Sequence, residues 1–233
     1  MIRLLIVRHG ETAWNATGRF QGQTDTPLND VGEAQAEAIA DRLAAVELHA
    51  IYASDLRRAY DTAAVVAVPH GLDVRADRRL REVNFGAWQG LTYAQIAAQH
   101  ADALAHWNAD RANRRPPGGE SLNEVAARLT SLAEDLRKNH DGQPDPITNT
   151  APSTGLGADS AAANGDRTIC LVSHGGTARL LLCVLLAYPL SEYWRFEVDN
   201  TALCEIELQD RGPVLIRWND THHLADNVRQ SVF

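Results

Sequence analysis

Short runs of apolar residues alternate along the chain with longer stretches in which apolar residues recur at helical spacing. The runs predict strands, at residues 2–7, 50–53, 168–172, 202–208 and 214–218. The first and third runs are apolar almost without interruption, as in central strands covered on both faces. The last two flank an Asp-Arg-Gly-Pro turn, which predicts a closing hairpin.

Helix signals fill the intervals between the first strands. Asn29 is a helix-capping residue, and Ile39 and Leu43 follow it at helical spacing. Ser54 is expected to cap a second helix directly after the second strand. That helix should stop before Pro69, because proline lacks the N–H group that a helix interior requires.

The second half of the chain repeats this alternation. Thr92 is expected to begin a helix, and the Pro-Pro-Gly-Gly sequence at residues 116–119 breaks the chain. Ser121 and Glu124 then form the pattern of a capping box at the start of a long helix. An apolar helix should follow the strand at 168–172 and end near Ala187. Strands that alternate with helices predict an α/β fold with a largely parallel sheet.

We predict a single domain, residues 1–233, that contains one atypical segment. Residues 140–166 are rich in small and polar residues and contain no aromatic residue, lysine or arginine. Such a segment cannot bury enough apolar surface to offset the cost of ordering it, so a low-complexity surface insert is expected. A regulatory or partner-binding role for this insert is the alternative.

Composition excludes several classes of protein. The net charge of −8 argues against nucleic acid as the main partner, because the chain has no basic excess to neutralise a phosphate backbone. The most apolar stretch, residues 180–187, is too short for a membrane span, and the N-terminus lacks a signal-peptide cleavage site, so a cytoplasmic location is expected. The three cysteines have no metal-ligand spacing and are expected to be buried free thiols.

Two of the predicted strands end in a histidine followed by a glycine, at His9-Gly10 and at His174-Gly175. Ligands of open α/β sheets bind outside the carboxyl ends of the strands, so two such ends indicate a site. We expect each glycine to leave backbone amides open to a ligand. The helix after His174 should also direct free N–H groups at that ligand, which favours an anion.

Arginines indicate which anion. Arg8 precedes the first histidine, and Arg57 and Arg58 follow the second strand. Guanidinium groups match phosphate geometry. The strand ends carry no paired carboxylates of the kind that hold magnesium, so the pattern predicts a phosphoryl pocket with neither a metal nor an organic cofactor.

These residues belong to an ordered series of motifs that resembles the histidine phosphatase superfamily, the phosphoglycerate mutase-like proteins. The series comprises Arg-His-Gly-Glu-Thr from Arg8, Arg-Phe-Gln-Gly from Arg19, Ser-Asp-Leu-Arg-Arg-Ala from Ser54, Leu-Arg-Glu from Leu80, Pro-Gly-Gly-Glu-Ser from Pro117 and Ser-His-Gly-Gly from Ser173. The resemblance implies a three-layer α/β/α sandwich around a mostly parallel mixed sheet, with a small cap.

The resemblance also implies roles for individual residues. His9 is expected to be the nucleophile that becomes phosphohistidine, with its second ring nitrogen held by a backbone carbonyl. Glu82 is expected to protonate the leaving oxygen and then to activate water. The groups that hold the phosphoryl oxygens or contact the ligand are expected to be Arg8, Asn15, Gln21, Gly22, Arg58, His174 and Gly175.

The expected activity is metal-independent hydrolysis of a small phosphorylated metabolite, and the alternative is a cofactor-dependent phosphoglycerate mutase. The segment between Gly90 and Pro116 is shorter than the cap insertion of glycolytic mutases in this family. The Pro-Gly-Gly-Glu-Ser motif resembles the phosphatase branch, which includes alpha-ribazole and broad-specificity phosphatases. A phosphate-binding module without activity is disfavoured because the four main catalytic positions are intact. A homodimer is compatible with the sequence.

Several other residues have a structural interpretation as well as a functional one. Trp88, Trp107 and Trp194 are expected to pack in the core or lid. Glu11 is expected to support the site without taking part in catalysis, and Arg57 is expected to be solvent-exposed. Arg111, Arg114 and Arg115 either line the mouth of the pocket or lie in a solvated loop. Adjacent His222 and His223 are not expected to share a metal ion.

Overall fold

The computed structural model describes residues 1–140 and 166–225. The predicted insert at 140–166 therefore lies outside the described residues, apart from its two end positions. The strands are β1 (Ile2–Arg8), β2 (Ala50–Ala53), β3 (Val74–Ala76), β4 (Arg167–Ser173), β5 (Leu203–Gln209) and β6 (Gly212–Asp220). All five predicted strands are confirmed. β3 was missed, because three residues with mostly exposed side chains give no periodic signal.

The strands form one sheet in the order β3-β2-β4-β1-β5-β6. Pairing is parallel from β3 through β2 and β4 to β1, and antiparallel from β1 to β5 and from β5 to β6. The prediction of a mostly parallel mixed sheet with a closing hairpin is therefore confirmed. Because β1 and β4 are parallel and adjacent, their carboxyl ends lie side by side.

Seven α-helices connect the strands in the part of the chain that the structure describes. They are α1 (Ala13–Ala16), α2 (Asp30–Leu43), α3 (Arg57–Ala67), α4 (Tyr93–Gln99), α5 (Ala101–Ala109), α6 (Leu122–His140) and α7 (Gly175–Leu185). Among these same residues, no helix is both long and apolar enough to cross a membrane.

The capping signals were correct at three helices and wrong at one. The Asn29 side chain accepts a hydrogen bond from the Gly32 amide, and both Thr92 and Ser121 form capping boxes, the latter with Glu124. Ser54 does not cap α3. Its hydroxyl accepts a bond from the Leu56 amide at 3.3 Å, and this turn delays the helix until Arg57.

Apolar side chains on the two faces of the sheet form separate cores, which gives the predicted three layers. On one face, β1 and β4 pack against α6 and α7, with Leu129 and Leu180 fully buried. On the other face, the same strands pack against α2 and α3, with Ile39 and Val66 fully buried. Cys170, Cys183 and Cys204 are buried free thiols, as expected.

A third, smaller core lies under α4 and α5 and forms the cap. Trp88, Ile96, Leu104 and Trp107 are its buried members, and the rings of the two tryptophans meet edge to face at 5.4 Å. The packing role predicted for Trp88 and Trp107 is therefore confirmed. Trp194 is instead 54% exposed, so the same prediction was wrong for it.

Candidate active site

The two strand-end histidines lie side by side because β1 and β4 pair in register. Arg8 is paired with Ser173, and the backbone N–H of His9 donates to the Ser173 carbonyl at 2.9 Å. The ring centroids of His9 and His174 are 5.1 Å apart, and both side chains are almost completely buried. The sheet edge predicted from the sequence thus brings both histidines into one site.

Hydrogen bonds fix which nitrogen of His9 carries the proton and which has the lone pair. Nδ1 lies 2.6 Å from the Gly10 carbonyl oxygen, which can only accept, so Nδ1 carries the proton. Nε2 is therefore the nitrogen with a lone pair. The Asn200 side-chain amide donates to the His9 carbonyl at 2.9 Å and holds the backbone in place. This is the arrangement that a nucleophilic imidazole requires.

Arg58 connects the two rings. It is fully buried, and its Nε–H is shared between His9 Nε2 and His174 Nδ1 at 3.2 Å each. Its two terminal nitrogens donate to the carbonyls of Thr24 at 2.8 Å and Gly22 at 2.7 Å. Each terminal nitrogen has a second N–H, so Arg58 is fixed in position and still has donors to offer.

His174 has the opposite hydrogen-bonding role to His9. Its Nδ1 accepts from Arg58, so the proton of the neutral ring is on Nε2. This Nε2 is buried and has no hydrogen-bond partner among residues 1–140 and 166–225, and the same is true of Arg8 Nε. Unpaired buried donors cost free energy, so two of them beside His9 indicate a place for an anion.

Burial and positive neighbours control the charge state of the site. Burial, with the nearby charge of Arg58, holds the pKa of His9 and of His174 well below the usual value. Both rings are therefore neutral near pH 7. Burial lowers the pKa of Arg8 and of Arg58 to about 10, so both guanidinium groups remain charged. The site combines a neutral nucleophile with fixed positive charge.

Glu82 lies at the N-terminus of α7. Its Oε1 accepts hydrogen bonds from the Val83 and Thr177 amides at 2.9 and 3.0 Å. The Thr177 hydroxyl lies 3.1 Å from Oε1 and shares its single proton between this oxygen and the Arg81 carbonyl, at 2.8 Å. Its Oε2 accepts only one bond, from the Gly176 amide at 3.0 Å. Oε2 is therefore the oxygen with room to carry a proton.

This arrangement corrects the expectation that the amides of α7 would face the ligand. The Gly176 and Thr177 amides are occupied by Glu82. A Cβ atom on Gly176 would lie only 2.6 Å from Glu82 Oε1, so a glycine is needed there to let the carboxylate approach. The helix N-terminus thus positions Glu82.

The expectation for Gly10 was also wrong, whereas a Cβ atom on Gly175 would make only an ordinary contact with Arg8. A Cβ on Gly10 would lie 2.3 Å from the Gly32 carbonyl oxygen, and the Gly10 amide donates to Thr62 at 3.1 Å. Gly10 is therefore required by close packing of two backbone segments. The Cβ position of Gly175 lies 3.4 Å from Arg8 Nε.

The first loop uses its predicted residues partly for internal support. The Asn15 side-chain oxygen belongs to a capping box with Thr12, and the Gln21 oxygen accepts from Thr12 at 3.0 Å and from Thr26 at 2.6 Å. Their side-chain NH₂ groups remain as donors. Gly22 contributes its carbonyl to Arg58, a role that the sequence did not reveal.

Other supporting residues were missed or only partly anticipated. Glu120 accepts from the Asn84 amide at 2.8 Å, and Arg128 donates to the Glu82 carbonyl at 3.2 Å, so both stabilise the segment that carries Glu82. Glu11 is buried and accepts from Asn29 at 2.8 Å, in line with a supporting role. Arg57 is exposed, as expected.

Within residues 1–140 and 166–225, no group of three or more histidine, cysteine, aspartate or glutamate side chains is arranged to hold a metal ion. His222 instead lies 2.7 Å from an Asp220 carboxylate oxygen through its Nδ1.

Comparison with known proteins identifies relatives along most of the chain. A family model described as histidine phosphatase superfamily, branch 1, matches residues 4–147 and 156–221. A glucosyl-3-phosphoglycerate phosphatase from Mycobacterium tuberculosis is 42% identical over 82% of this chain and 78% of its own. A protein named metal-independent phosphoserine phosphatase, from Arabidopsis thaliana, is 31% identical over 95% of this chain and 83% of its own.

Solved structures give the same result. A mycobacterial glucosyl-3-phosphoglycerate phosphatase in complex with VO3 superposes with a TM-score of 0.77 at 36% identity, over 94% of this chain and 99% of that one. The alpha-ribazole phosphatase from Shigella flexneri superposes with a TM-score of 0.77 at 26% identity, over 94% and 96%. The fold is thus shared with phosphatases of different named substrates.

Proposed function

The chain belongs to branch 1 of the histidine phosphatase superfamily, and from this membership we propose that His9 is the residue to which the phosphoryl group is transferred. The reaction class is hydrolysis of phosphate monoesters, because both relatives described above are named phosphatases. The same names favour hydrolysis over the mutase alternative, although other relatives of this chain carry phosphoglycerate mutase names. The substrate is a small phosphorylated metabolite.

In the first step, His9 Nε2 attacks the phosphorus atom. A bond forms between Nε2 and phosphorus as the bond to the leaving oxygen breaks, and Glu82 Oε2 gives its proton to that oxygen. Arg8, Arg58 and His174 Nε2 donate to the phosphoryl oxygens while charge develops on them. Asn15 and Gln21 donate from the first loop, and Gly175 lies beside Arg8 at the start of α7.

In the second step, water attacks the phosphohistidine. Glu82 accepts a proton from this water, an oxygen–phosphorus bond forms, and the bond between His9 Nε2 and phosphorus breaks to release inorganic phosphate. The residue that acts as an acid in the first step therefore acts as the base in the second. No step requires a metal ion, in line with the name of the Arabidopsis relative.

The observation that best supports this mechanism is the pair of unpaired buried donors around a correctly oriented nucleophile. Arg8 Nε and His174 Nε2 have no hydrogen-bond partner in the described part of the chain, and His9 presents an unprotonated nitrogen next to them. A phosphoryl group bonded to that nitrogen would supply the missing acceptors. Most buried donors in folded proteins are paired, so two unpaired ones beside the nucleophile favour a bound anion.

The direct test measures release of inorganic phosphate from a panel of sugar phosphates, phosphoglycerates, nucleotides and p-nitrophenyl phosphate, beside an assay of 2,3-bisphosphoglycerate-dependent mutase activity. We expect hydrolysis to exceed mutase turnover and to survive excess EDTA. Loss of activity with EDTA that a divalent ion restores would contradict the metal-free mechanism. A mutase rate above the hydrolytic rate would contradict the reaction class.

Two further properties belong to the proposal. A cytoplasmic location is supported by the buried free thiols, which a reducing compartment preserves. A homodimer is supported by β6, an edge strand on which Val214, Leu215 and Ile216 are each more than a third exposed. Sedimentation of the wild type and of an Ile216→Lys variant tests the homodimer. If the dimer forms through β6, the variant should sediment as the smaller species.

A further inference from the structure

Arg179 is a charged residue in the otherwise apolar helix α7, and its charge is not compensated. Its Nε is buried without a hydrogen-bond partner, and no carboxylate pairs with it in the described part of the chain. A half-buried guanidinium group without a counter-charge is costly. Its position therefore indicates that an anion from outside the protein binds there.

The helix geometry places Arg179 beside the phosphoryl pocket. Gly175 and Arg179 are four residues apart, so they lie on the same side of α7. The Arg8 guanidinium packs against Gly175, 3.4 to 3.6 Å from its Cβ position. The charge of Arg179 accordingly lowers the pKa of Arg8, second only to burial. Two like charges are held together where a ligand binds.

Two more groups face the same region from neighbouring elements. α7 packs against the 3₁₀ turn Leu190–Arg195, which carries the buried Tyr193. Burial raises the pKa of Tyr193, and the charges of Arg111 and Arg179 oppose that rise, so both cations lie near its hydroxyl. The Tyr193 hydroxyl has no protein partner among the described residues.

Arg111 reaches this region from the cap, and no carboxylate of residues 1–140 or 166–225 forms an ion pair with it. It donates to the neutral Asn108 side chain at 2.6 and 3.1 Å and stacks 4.4 Å above Trp107. It also lines an open cleft of about 630 Å³ between residues 108–111 of the cap and the turn that carries Tyr193, and the carboxylates of Asp110 and Glu192 line the same cleft. Arg111 thus links the cleft to Tyr193 and Arg179.

We propose, on the premise that the chain is a phosphatase acting through His9, that Arg179, Tyr193 and Arg111 form a second anion subsite that binds a carboxylate of the substrate. A planar carboxylate matches the fork of one guanidinium group, and a tyrosine hydroxyl can donate to it as well. A second phosphate would bring more negative charge towards Glu82. Preferred substrates are therefore phosphate monoesters that carry a carboxylate.

A matched pair of substrates isolates this carboxylate. 3-Phosphoglycerate and glycerol 3-phosphate differ only in having a carboxylate or a hydroxymethyl group at one end. We expect wild-type kcat/KM to be at least about tenfold higher for 3-phosphoglycerate, since hydrogen bonds to charged groups are the stronger class. A ratio of one or less would overturn the proposal without any variant.

Arg179→Met should lower kcat/KM for 3-phosphoglycerate by about 10- to 100-fold, mainly through KM, and change that for glycerol 3-phosphate by less than about threefold. Arg75→Met is the matched control, because it removes an exposed arginine on the edge strand β3 and should leave the ratio unchanged. Arg179→Lys should restore part of the preference. Tyr193→Phe should lower it severalfold.

The outcomes distinguish failure of the proposed subsite from failure of the proposed phosphatase activity. Equal slowing of both substrates by Arg179→Met would show that Arg179 supports only the phosphoryl pocket and would overturn the subsite. Inhibition by inorganic phosphate checks this, because its inhibition constant should not change. Failure of the wild type to hydrolyse even p-nitrophenyl phosphate would instead contradict the proposed function. If Arg179→Met does not fold, the subsite is tested by the Arg179→Lys variant and by the wild-type ratio of kcat/KM for 3-phosphoglycerate to kcat/KM for glycerol 3-phosphate.

Discussion

His9 and His174 stand in the same His-Gly context in the sequence, but the structure gives their rings different hydrogen bonds. His9 keeps its proton on Nδ1, and His174 keeps its proton on Nε2. The cause is one shared donor, Arg58 Nε, which approaches a different nitrogen of each ring. One ring can therefore attack and the other can donate, while both are neutral.

The first prediction concerns Glu82 and the leaving group. Glu82→Gln cannot donate a proton as an acid, and it also loses the bond from the Gly176 amide, because an NH₂ group would face an N–H. An alkoxide needs that proton to leave, whereas p-nitrophenolate needs it much less. We expect single-turnover phosphorylation of the enzyme to slow by about 10²–10⁴ for an alkyl phosphate and far less for p-nitrophenyl phosphate.

Single-turnover data are needed because Glu82 should also activate water, and slow hydrolysis of the intermediate would hide the first step. Thr177→Val is a suitable control, since it removes one hydroxyl donor to Oε1 and keeps the carboxylate. Equal slowing for both substrates in Glu82→Gln would remove Glu82 from the acid role.

The second prediction concerns pH. Burial holds the pKa of His9 and of His174 below the usual value, so the folded protein binds fewer protons than the unfolded chain once the pH falls below about 6.5. The free energy of unfolding should then fall with pH, by up to about 1.4 kcal/mol per pH unit for each ring. The loss stops only when the rings protonate in the folded state.

Urea unfolding at pH 7.5, 6.5 and 5.5 measures this slope, and His174→Asn should make it shallower by about one proton. NMR of the imidazole nitrogens gives an independent reading, with both rings neutral at pH 6 in the folded protein. Protonated rings at that pH would contradict the electrostatic description of the site.

Among the elements, α6 and α7 position the catalytic residues through their N-termini. The first turn of α7 holds Glu82, and the start of α6 is adjacent to Glu120 and leads to Arg128, which support the segment around Glu82. The capping box of Ser121 and Glu124 fixes where α6 begins. Local sequence signals at the helix ends therefore affect the geometry of the site.

The third prediction tests that cap. Ser121→Ala should lower the free energy of unfolding by about 1 kcal/mol, because a buried serine that caps the first turn is lost. Thr130→Ala, on the exposed side of the same helix, should change it by less than about 0.5 kcal/mol. Chemical denaturation of both variants makes the comparison, and equal effects would show that the cap has no special weight.

The elements differ in how well the sequence predicts them. Strands and helix starts were predictable where a residue's role depends on its neighbours in the sequence, as for Asn29, Thr92 and Ser121. Gly10 was misinterpreted because the backbone that requires it belongs to Gly32, which only the fold brings close. Arg179 gave a signal, a lone charge in an apolar helix, but its neighbours Arg8 and Tyr193 come from distant segments.

At the scale of the whole molecule, the site collects positive charge in a protein with a net charge of −8. Arg8 ends β1, and Arg58 lies in the first turn of α3, shortly after β2. The parallel pairing of β4 with both β1 and β2 brings the two arginines to one edge of the sheet. The motifs predicted this assembly because parallel strands deliver their carboxyl ends to one edge. They could not predict which donors would stay unpaired, since that depends on side-chain geometry.

The fourth prediction concerns the insert. The family model leaves residues 148–155 unmatched, within the segment 140–166 that composition marks as an addition to the domain. Replacing residues 143–165 with a short Gly-Ser linker should change Tm by less than about 4 °C and kcat/KM by less than twofold, since loop length costs little closure entropy. A Gly-Ser segment of the original length is the control. A large fall in Tm that this control shares would show that the natural insert packs on the domain.

The central claim is that His9 becomes phosphorylated during turnover, and rapid acid-free quenching with a ³²P-labelled substrate tests it most directly. The account predicts a label on the wild-type protein that is stable in base, labile in acid and located on His9 by peptide mapping. It predicts no label and no hydrolysis for a folded His9→Ala variant. Hydrolysis near the wild-type rate by that variant, or a label on another residue, would contradict the account.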